Sequence, residues 1–285
     1  MERARLSTGT VATVLPSPFP RSEEELLLRI RDGGPALVAL SGGVDSSLVA
    51  ALAQEALGAA AIAVTLSGPA VSQAELDRAD RVARAVGIAH TVVRADPLGR
   101  DEYRANPSNR CYFCRVVETD ALRAFGAPRG VRQYLDGIHA GDLADDRPGL
   151  RAMDEAGFGH PLLWAGWGKA EVRAAARRRG LPNWDQPSDA CLASRVAHGD
   201  PLTESLLRRI EEAEAFLRSN GFRRVRVRVR GRSARVEVDP EEVPRLFEEP
   251  LRSRVIARLG QIGFEPVTLD PRGYGHRPPA LPVVP

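Results

Sequence analysis

The apolar segment Ala36–Leu40 runs straight into Ser41-Gly42-Gly43 and then into a helical stretch that ends near Gly58. Two further runs follow, Ala60–Leu66 and Ala89–Val93, separated by a helix from Ser72, where Glu75 completes a capping-box spacing, to about Val86. None keeps the strict polar–apolar alternation of a strand exposed on one face. Such strands separated by helices predict a parallel sheet covered on both sides. Helices are expected from Ser22 to about Gly33, at Cys111–Phe125 and at Lys169–Arg179, with a fourth strand at Arg132–Asp136 and a polar loop from Arg94 to Arg110. The fold class is therefore α/β, a doubly wound parallel sheet over about residues 21–185.

Beyond Pro201 the pattern changes. Thr203–Asn220 reads as one long helix, and Phe222–Arg230 alternates, with Val225, Val227 and Val229 on one side and Arg224, Arg226, Arg228 and Arg230 on the other. Ala234–Val238 pairs with it across Gly231-Arg232-Ser233, and a helix (about 251–259) and a strand (about 263–269) follow. The expected organisation is a leader (1–20), a nucleotide-binding domain (21–200), a small α+β domain (201–275) and a loose, Pro-rich tail (276–285).

Composition narrows the function classes. Forty Lys and Arg against 37 Asp and Glu leave a net charge of +3 in 285 residues, too even for wholesale coating of nucleic acid. Lys169 is the only lysine. The longest nearly apolar stretch, Ser47–Leu66, is broken by Gln54, Glu55 and Gly58 and falls short of a membrane span, and no secretory segment opens the chain, so cytoplasmic residence is expected. Three cysteines are too few and too odd a number for a disulfide framework and point to metal binding or catalysis.

Ser41-Gly42-Gly43-Val44-Asp45-Ser46-Ser47 ends a strand and opens a helix, where backbone N–H groups and the helix dipole meet an anion. Glycines admit the phosphate closely and the hydroxyls add donors. No lysine follows, so this is not the GxxxxGK[ST] loop of γ-phosphoryl transfer. The segment closely resembles the PP-loop of ATP pyrophosphatases, which split ATP into AMP and pyrophosphate and adenylate a substrate. That resemblance places Leu40, Ser41, Gly42, Gly43, Val44, Asp45, Ser46, Ser47, Leu66 and Gly137 around ATP and gives Asp45 a part in organising Mg²⁺.

Cys111 and Cys114 stand one helical turn apart, and Cys191 arrives from far along the chain. Spacing alone leaves three readings open: three corners of a cubane cluster with one iron free for another ligand, a Zn site completed by His139 or His198, or a redox CxxC with an unrelated Cys191.

Cys111-Tyr112-Phe113-Cys114-Arg115, Asp136-Gly137-Ile138-His139, Lys169-Ala170-Glu171-Val172-Arg173, Leu181-Pro182-Asn183-Trp184-Asp185 and Ala190-Cys191-Leu192-Ala193-Ser194-Arg195, in this order and together with the PP-loop, resemble the LarE family. The chain departs from that family's usual pattern at Ile138, His139, Trp164 and in its tail. The resemblance implies an ATP-dependent sulfur transferase acting on pyridinium-3,5-biscarboxylic acid mononucleotide in the synthesis of a nickel-pincer nucleotide. It implies either sacrifice of the Cys191 sulfur or, since all three cysteines are present, a 4Fe-4S cluster on Cys111, Cys114 and Cys191 whose extra sulfide is transferred. It implies substrate contacts from Arg115, Lys169, Arg195, Glu214, Arg226 and Arg228, and a homo-oligomer, a hexamer built from trimers.

Several of these residues also have plainer readings. The Arg224–Arg230 face reads equally as a solvated strand surface, Lys169 as an exposed helix cap, Glu214 as a surface acid, and His90, His160 and His276 as structural. A tRNA thiolase and a non-catalytic nucleotide or iron–sulfur binding protein are the rival functions; a single-stranded RNA groove is weakened by the lack of interleaved aromatics.

Overall fold

The computed structural model describes residues 22–144, 148–187 and 189–275; the expected leader and tail, and His276, lie outside them. Helix α1 (Glu23–Gly33) starts where the Ser22 hydroxyl accepts from the Glu25 amide. It leads into β1 (Ala36–Ala39), α2 (Val44–Leu57), β2 (Ala61–Ser67), α3 (Gln73–Val86) and β3 (Ala89–Arg94). The capping box at Ser72 and Glu75 is present at the start of α3. Helix α5 (Arg110–Gly126) carries the chain to β4 (Gln133–Leu135), which joins β1 from the other side, giving a parallel sheet of order β3-β2-β1-β4.

Because the connection from β1 goes one way to β2 while β4 lies on the opposite side, a crevice opens at the carboxyl ends of β1 and β4. This is where open α/β sheets bind ligands. Fully buried Leu37, Val38, Leu48, Leu52 and Leu135 form the layers around the sheet. Each such side chain stabilises by roughly 1.5–3 kcal/mol relative to exposure. Strand β3 is an edge and is half-exposed, so it lacks the two-sided cover expected for every strand.

Elsewhere the chain is more helical than its sequence implies. The stretch read as a loop contains α4 (Asp101–Arg104), and α6 (Pro148–Glu155) and α7 (Pro161–Trp164) precede α8 (Lys169–Arg178). α4 and α7 are single turns, too short for periodicity to show.

The rest of the chain forms α9 (Glu204–Ser219), the antiparallel hairpin β5 (Val225–Arg230) and β6 (Ser233–Val238), α10 (Val243–Phe247), α11 (Leu251–Ile262) and β7 (Val267–Leu269), in a sheet of order β5-β6-β7. Leu207, Ile210 and Leu217 of α9 pack on Val225, Val227 and Val229. The same core takes in Tyr103, Leu192, Ala193 and Val196, so the Cys191 segment is bound into it. The arginine face of β5 is only partly solvated: Arg226 is 4% exposed, because residues 189–197 lie across it, while the Arg228 side chain keeps 31% of its surface.

Candidate functional site

The PP-loop is held open by its own residues. Ser46 Oγ accepts from the Ser41 amide at 3.1 Å and lies 3.1 Å from Ser41 Oγ, while the Ser47 hydroxyl donates to Gly43 O at 2.7 Å. The first bond of α2 runs from Ser47 N to Gly43 O, so the amides of Val44, Asp45 and Ser46 come before any intrahelical acceptor and are left for a ligand. Two glycines are steric necessities. Gly42 has φ +76°, and a Cβ there would lie 2.9 Å from Ala79 N; a Cβ at Gly137 would lie 2.5 Å from Ser46 N.

Three side chains from distant segments complete this end. Asn183, buried, donates to Gly42 O at 2.8 Å and to Ser47 Oγ at 2.9 Å. Lys169 donates to both Asp45 oxygens, at 2.8 and 2.7 Å, so the lone lysine caps no surface but sits on the loop's aspartate. His139 Nε2 is 3.9 Å from Asp45 Oδ1. Leu66 lies near the end of β2, half-buried. Behind the loop, buried His160 bridges Asp136 and Asp154, each at 2.8 Å. Burial alone would lower its pKa, but the two carboxylates raise it.

At the other end, α5 presents Cys111 and Cys114, and Cys191 lies opposite. Arg110 ties the start of α5 to the segment after Cys191: its Nη1 donates to Asn106 Oδ1 and contacts His198 Nδ1, both at 2.9 Å. Burial pushes the Cys191 thiol up, with Cys111 the next cause; burial pushes Cys114 up, with Glu118 and then Cys191 among the further causes. The three thiols thus share one neighbourhood and suit a cluster in kind. Among the described residues, however, no three His, Cys, Asp or Glu side chains converge on a point that would hold a metal. With His139 beside Asp45 and His198 on Arg110, neither histidine completes a zinc set.

The arginines correct two expectations. Arg195, its side chain 1% exposed, grips Glu214 with a fork of 2.7 and 2.9 Å and donates to Cys191 O at 3.1 Å and to Ala190 O. It therefore acts on the cysteine segment and is closed to a ligand. Glu214 is fully buried rather than on the surface, and also accepts from Val227 N at 3.1 Å and Arg218 at 2.8 Å. Arg228 donates to Ser194 O at 3.0 Å and to Glu237 at 3.1 Å, and Arg115 pairs with Glu118 at 2.6 Å.

Asp189, which the sequence reading passed over, sits between the two ends. Its Oδ1 lies 3.1 Å from Arg226 and 3.3 Å from Arg195, and its Oδ2 3.3 Å from Arg78 of α3. Burial would raise its carboxyl, yet Arg226, Arg195 and Arg78 hold it below the usual carboxylate range. Arg226 itself is lowered, by burial and then by the charge of Arg195, against the opposing pull of Asp189 and Glu214. Arg78 carries no motif. Glu214 had a signal: it falls on the apolar stripe of Leu207, Ile210 and Leu217. A cleft of about 620 Å³ opens at the opposite end of the sheet, beside Gln54, Arg84 and His90, away from all of these groups.

Comparison with known proteins agrees with this layout. The asparagine synthase family model matches residues 25–99, which hold β1, the PP-loop and the strands and helices up to β3. The chain is 33% identical over 250 residues to pyridinium-3,5-bisthiocarboxylic acid mononucleotide synthase of Lactiplantibacillus plantarum, covering 87% of this chain and 90% of that one. It is 39% identical over 239 residues to protein slr1717 of Synechocystis, covering 84% and 89%. It is also 32% identical over 180 residues to the tRNA-specific 2-thiouridylase MnmA of Acidithiobacillus ferrooxidans, but that match covers 52% of this chain and only 50% of the thiouridylase. A PP-loop at the switch point of a parallel sheet and a match along nearly the whole length to the L. plantarum synthase place this chain in the LarE family of PP-loop proteins.

Proposed function

We propose that the protein is an ATP-dependent sulfur transferase that adenylates a carboxylate of pyridinium-3,5-biscarboxylic acid mononucleotide and converts it to a thiocarboxylate, a step toward the nickel-pincer nucleotide, and that it works in the cytoplasm as a homo-oligomer. The near full-length match to the L. plantarum synthase carries the reading. The arrangement of the PP-loop and the three thiols supports it.

The chemistry follows from what each end offers. Amides of Val44, Asp45 and Ser46 receive ATP phosphate oxygens at the positive end of α2. Asp45, a hard oxygen donor, would hold Mg²⁺, which neutralises phosphate charge when bound. With Asp45 so engaged, Lys169, which donates to it at 2.7 Å, would be free to turn its ammonium to the phosphates. An oxygen of the substrate carboxylate attacks the α-phosphorus, the bond to the β-phosphate oxygen breaks, and pyrophosphate leaves. The acyl-adenylate now carries AMP as a leaving group in place of oxide, so a sulfur nucleophile adds to the carbonyl and expels AMP. Arg226 and Arg228, side by side on β5, supply planar forks suited to the substrate's phosphate and second carboxylate, with Arg115 beside the cysteines.

Cys111, Cys114 and Cys191 are the groups that would hold a 4Fe-4S cluster, which supplies a transferable sulfide when bound. The experiment gives anaerobically reconstituted protein ATP, Mg²⁺ and either the pyridinium substrate or tRNA. Pyrophosphate and a sulfur-bearing pyridinium product are expected with the first alone. Pyrophosphate only with tRNA assigns the thiolase function instead, and ATP bound without pyrophosphate under either condition assigns a binding protein. Loss of the elements of H₂S from Cys191 in the spent protein assigns the sulfur to that cysteine rather than to a cluster.

A further inference from the structure

Tyr103 lies in the single-turn helix α4 and is 1% exposed, yet its hydroxyl has no hydrogen-bond partner among the described residues. A buried hydroxyl left without a partner costs about 1–3 kcal/mol. Its surroundings indicate the acceptor it lacks. Tyr103 belongs to the core built on α9 and β5, and Cys114 and Cys191 both pack against that core. Burial pushes the hydroxyl up, and charge on Cys114 and then on Cys191 adds to the effect, against the opposing pull of Arg110. The hydroxyl therefore keeps its proton and stands within electrostatic reach of both sulfurs. Arg110, 7% exposed, brings a second donor: its Nη1 is engaged by Asn106 and His198, but its Nε has no hydrogen-bond partner among the described residues.

The backbone holds this corner in place. Fully buried Asn106, at φ +53°, turns the chain from α4 into α5; its amide donates to Tyr103 O at 3.0 Å and its side chain to Ala197 O at 2.8 Å and Asp200 O at 3.0 Å. Asparagine tolerates this left-handed conformation better than most residues. The turn thus ties Tyr103 and Arg110 to the segment that follows Cys191. Burial penalises negative sulfur here, and an O–H or N–H donor offsets that penalty.

We propose that the Tyr103 hydroxyl is a hydrogen-bond donor to the anionic sulfur held at the Cys111–Cys114–Cys191 corner. Sulfur must be anionic to add to an acyl-adenylate, and a buried donor keeps it so without a permanent counter-charge. Hydrogen bonds to sulfur also raise the potential of an iron–sulfur cluster. The proposal rests on the functional reading above in placing the transferable sulfur at these cysteines. The chemistry recognised is the same for a cluster sulfur and for a Cys191 thiolate.

The test compares the full-length wild type with Tyr103→Phe, which keeps the ring and loses only the oxygen. Both are reconstituted anaerobically with iron and sulfide. Resonance Raman spectra of the Fe–S modes are taken in H₂O and D₂O, and reduction is followed by electron paramagnetic resonance in a potentiometric titration. Iron content should be equal, and the Fe–S modes should shift in D₂O in the wild type and shift less in the variant. At the wild-type midpoint potential, the ratio of reduced to oxidised cluster should be lower in Tyr103→Phe by about threefold or more. A second arm uses the iron-free chains at one pH, with alkylation of each cysteine by iodoacetamide followed by mass spectrometry and exposed Cys111 as the internal reference. Relative to Cys111, Cys191 should react about twofold or more slowly in Tyr103→Phe.

Where a cluster forms, its spectra and potential decide: an unchanged D₂O response and an unchanged potential overturn the proposal. A merely structural Tyr103 would lower iron content or thermal stability and leave the potential of the remaining cluster unmoved, which overturns it too. Where the reconstituted wild type holds no cluster, the cluster reading fails by itself and the alkylation rates decide: slower Cys191 supports the donor, and equal rates overturn it. A shifted potential in a protein that transfers no sulfur to the pyridinium substrate would leave this inference standing and remove the function proposed above.

Discussion

The PP-loop is held mostly by bonds among residues within five positions of one another, such as Ser41 to Ser46, and the groups it turns toward an anion are backbone amides. The Cys191 segment is held by side chains from elsewhere: Arg228 reaches Ser194 from 34 positions away, and the Arg195 fork closes on Glu214 of α9. A cradle of main-chain groups is specified by where glycines must be and tolerates changes of charge. A corner made of paired arginines and acids is specified by charge, and loses its shape when one partner goes. The two ends should therefore fail in different ways.

The largest expected effect is at the cysteine end. Arg195→Met leaves Glu214, which is fully buried, without its fork and should cost about 3–5 kcal/mol in urea unfolding, together with loss of order around Cys191. A cost below about 1 kcal/mol would show that the corner is not held by this pair. At the loop end, Gly137→Ala should cost less, about 1–3 kcal/mol, because the new methyl meets the Ser46 amide at 2.5 Å; ATP binding should fall far more than stability does. Equal losses at both ends in both variants would erase the contrast.

A smaller effect tests a charged support behind the PP-loop. His160 is held by Asp136 and Asp154, which raise its pKa in the folded chain. The stabilisation is complete below the unfolded value of about 6.5 and disappears as pH rises through the raised native value. Urea midpoints should therefore fall across that window in the wild type, and the fall should be missing in His160→Gln. Smallest of all is Tyr103→Phe. Tyr103 is 1% exposed, and its hydroxyl has no hydrogen-bond partner among the described residues. Removing that oxygen should leave stability within about 1 kcal/mol of wild type or raise it, by calorimetry.

Legibility from sequence follows the same divide. The parallel sheet, the capping box at Ser72 and the seven-residue loop were readable because each is encoded locally. The valine face of β5 was readable from alternation, but its arginine face was not: alternation says that Arg226 and Val227 point opposite ways, and says nothing of a segment thirty residues earlier lying across the arginines. Asn183 sat within a quoted motif without a role, since its job exists only once α2 is folded beside it. Asp189 and Arg78 had no local signal, because their meaning is a meeting of three chain segments.

The central claim is that the carboxylate is adenylated before sulfur arrives, and a heavy-oxygen label in the substrate carboxylates tests it most directly. If the acyl-adenylate forms at the PP-loop and sulfur expels AMP, one labelled oxygen must appear in AMP for each thiocarboxylate made, with pyrophosphate in equal amount. AMP free of label, or thiocarboxylate formed without pyrophosphate, would contradict the account.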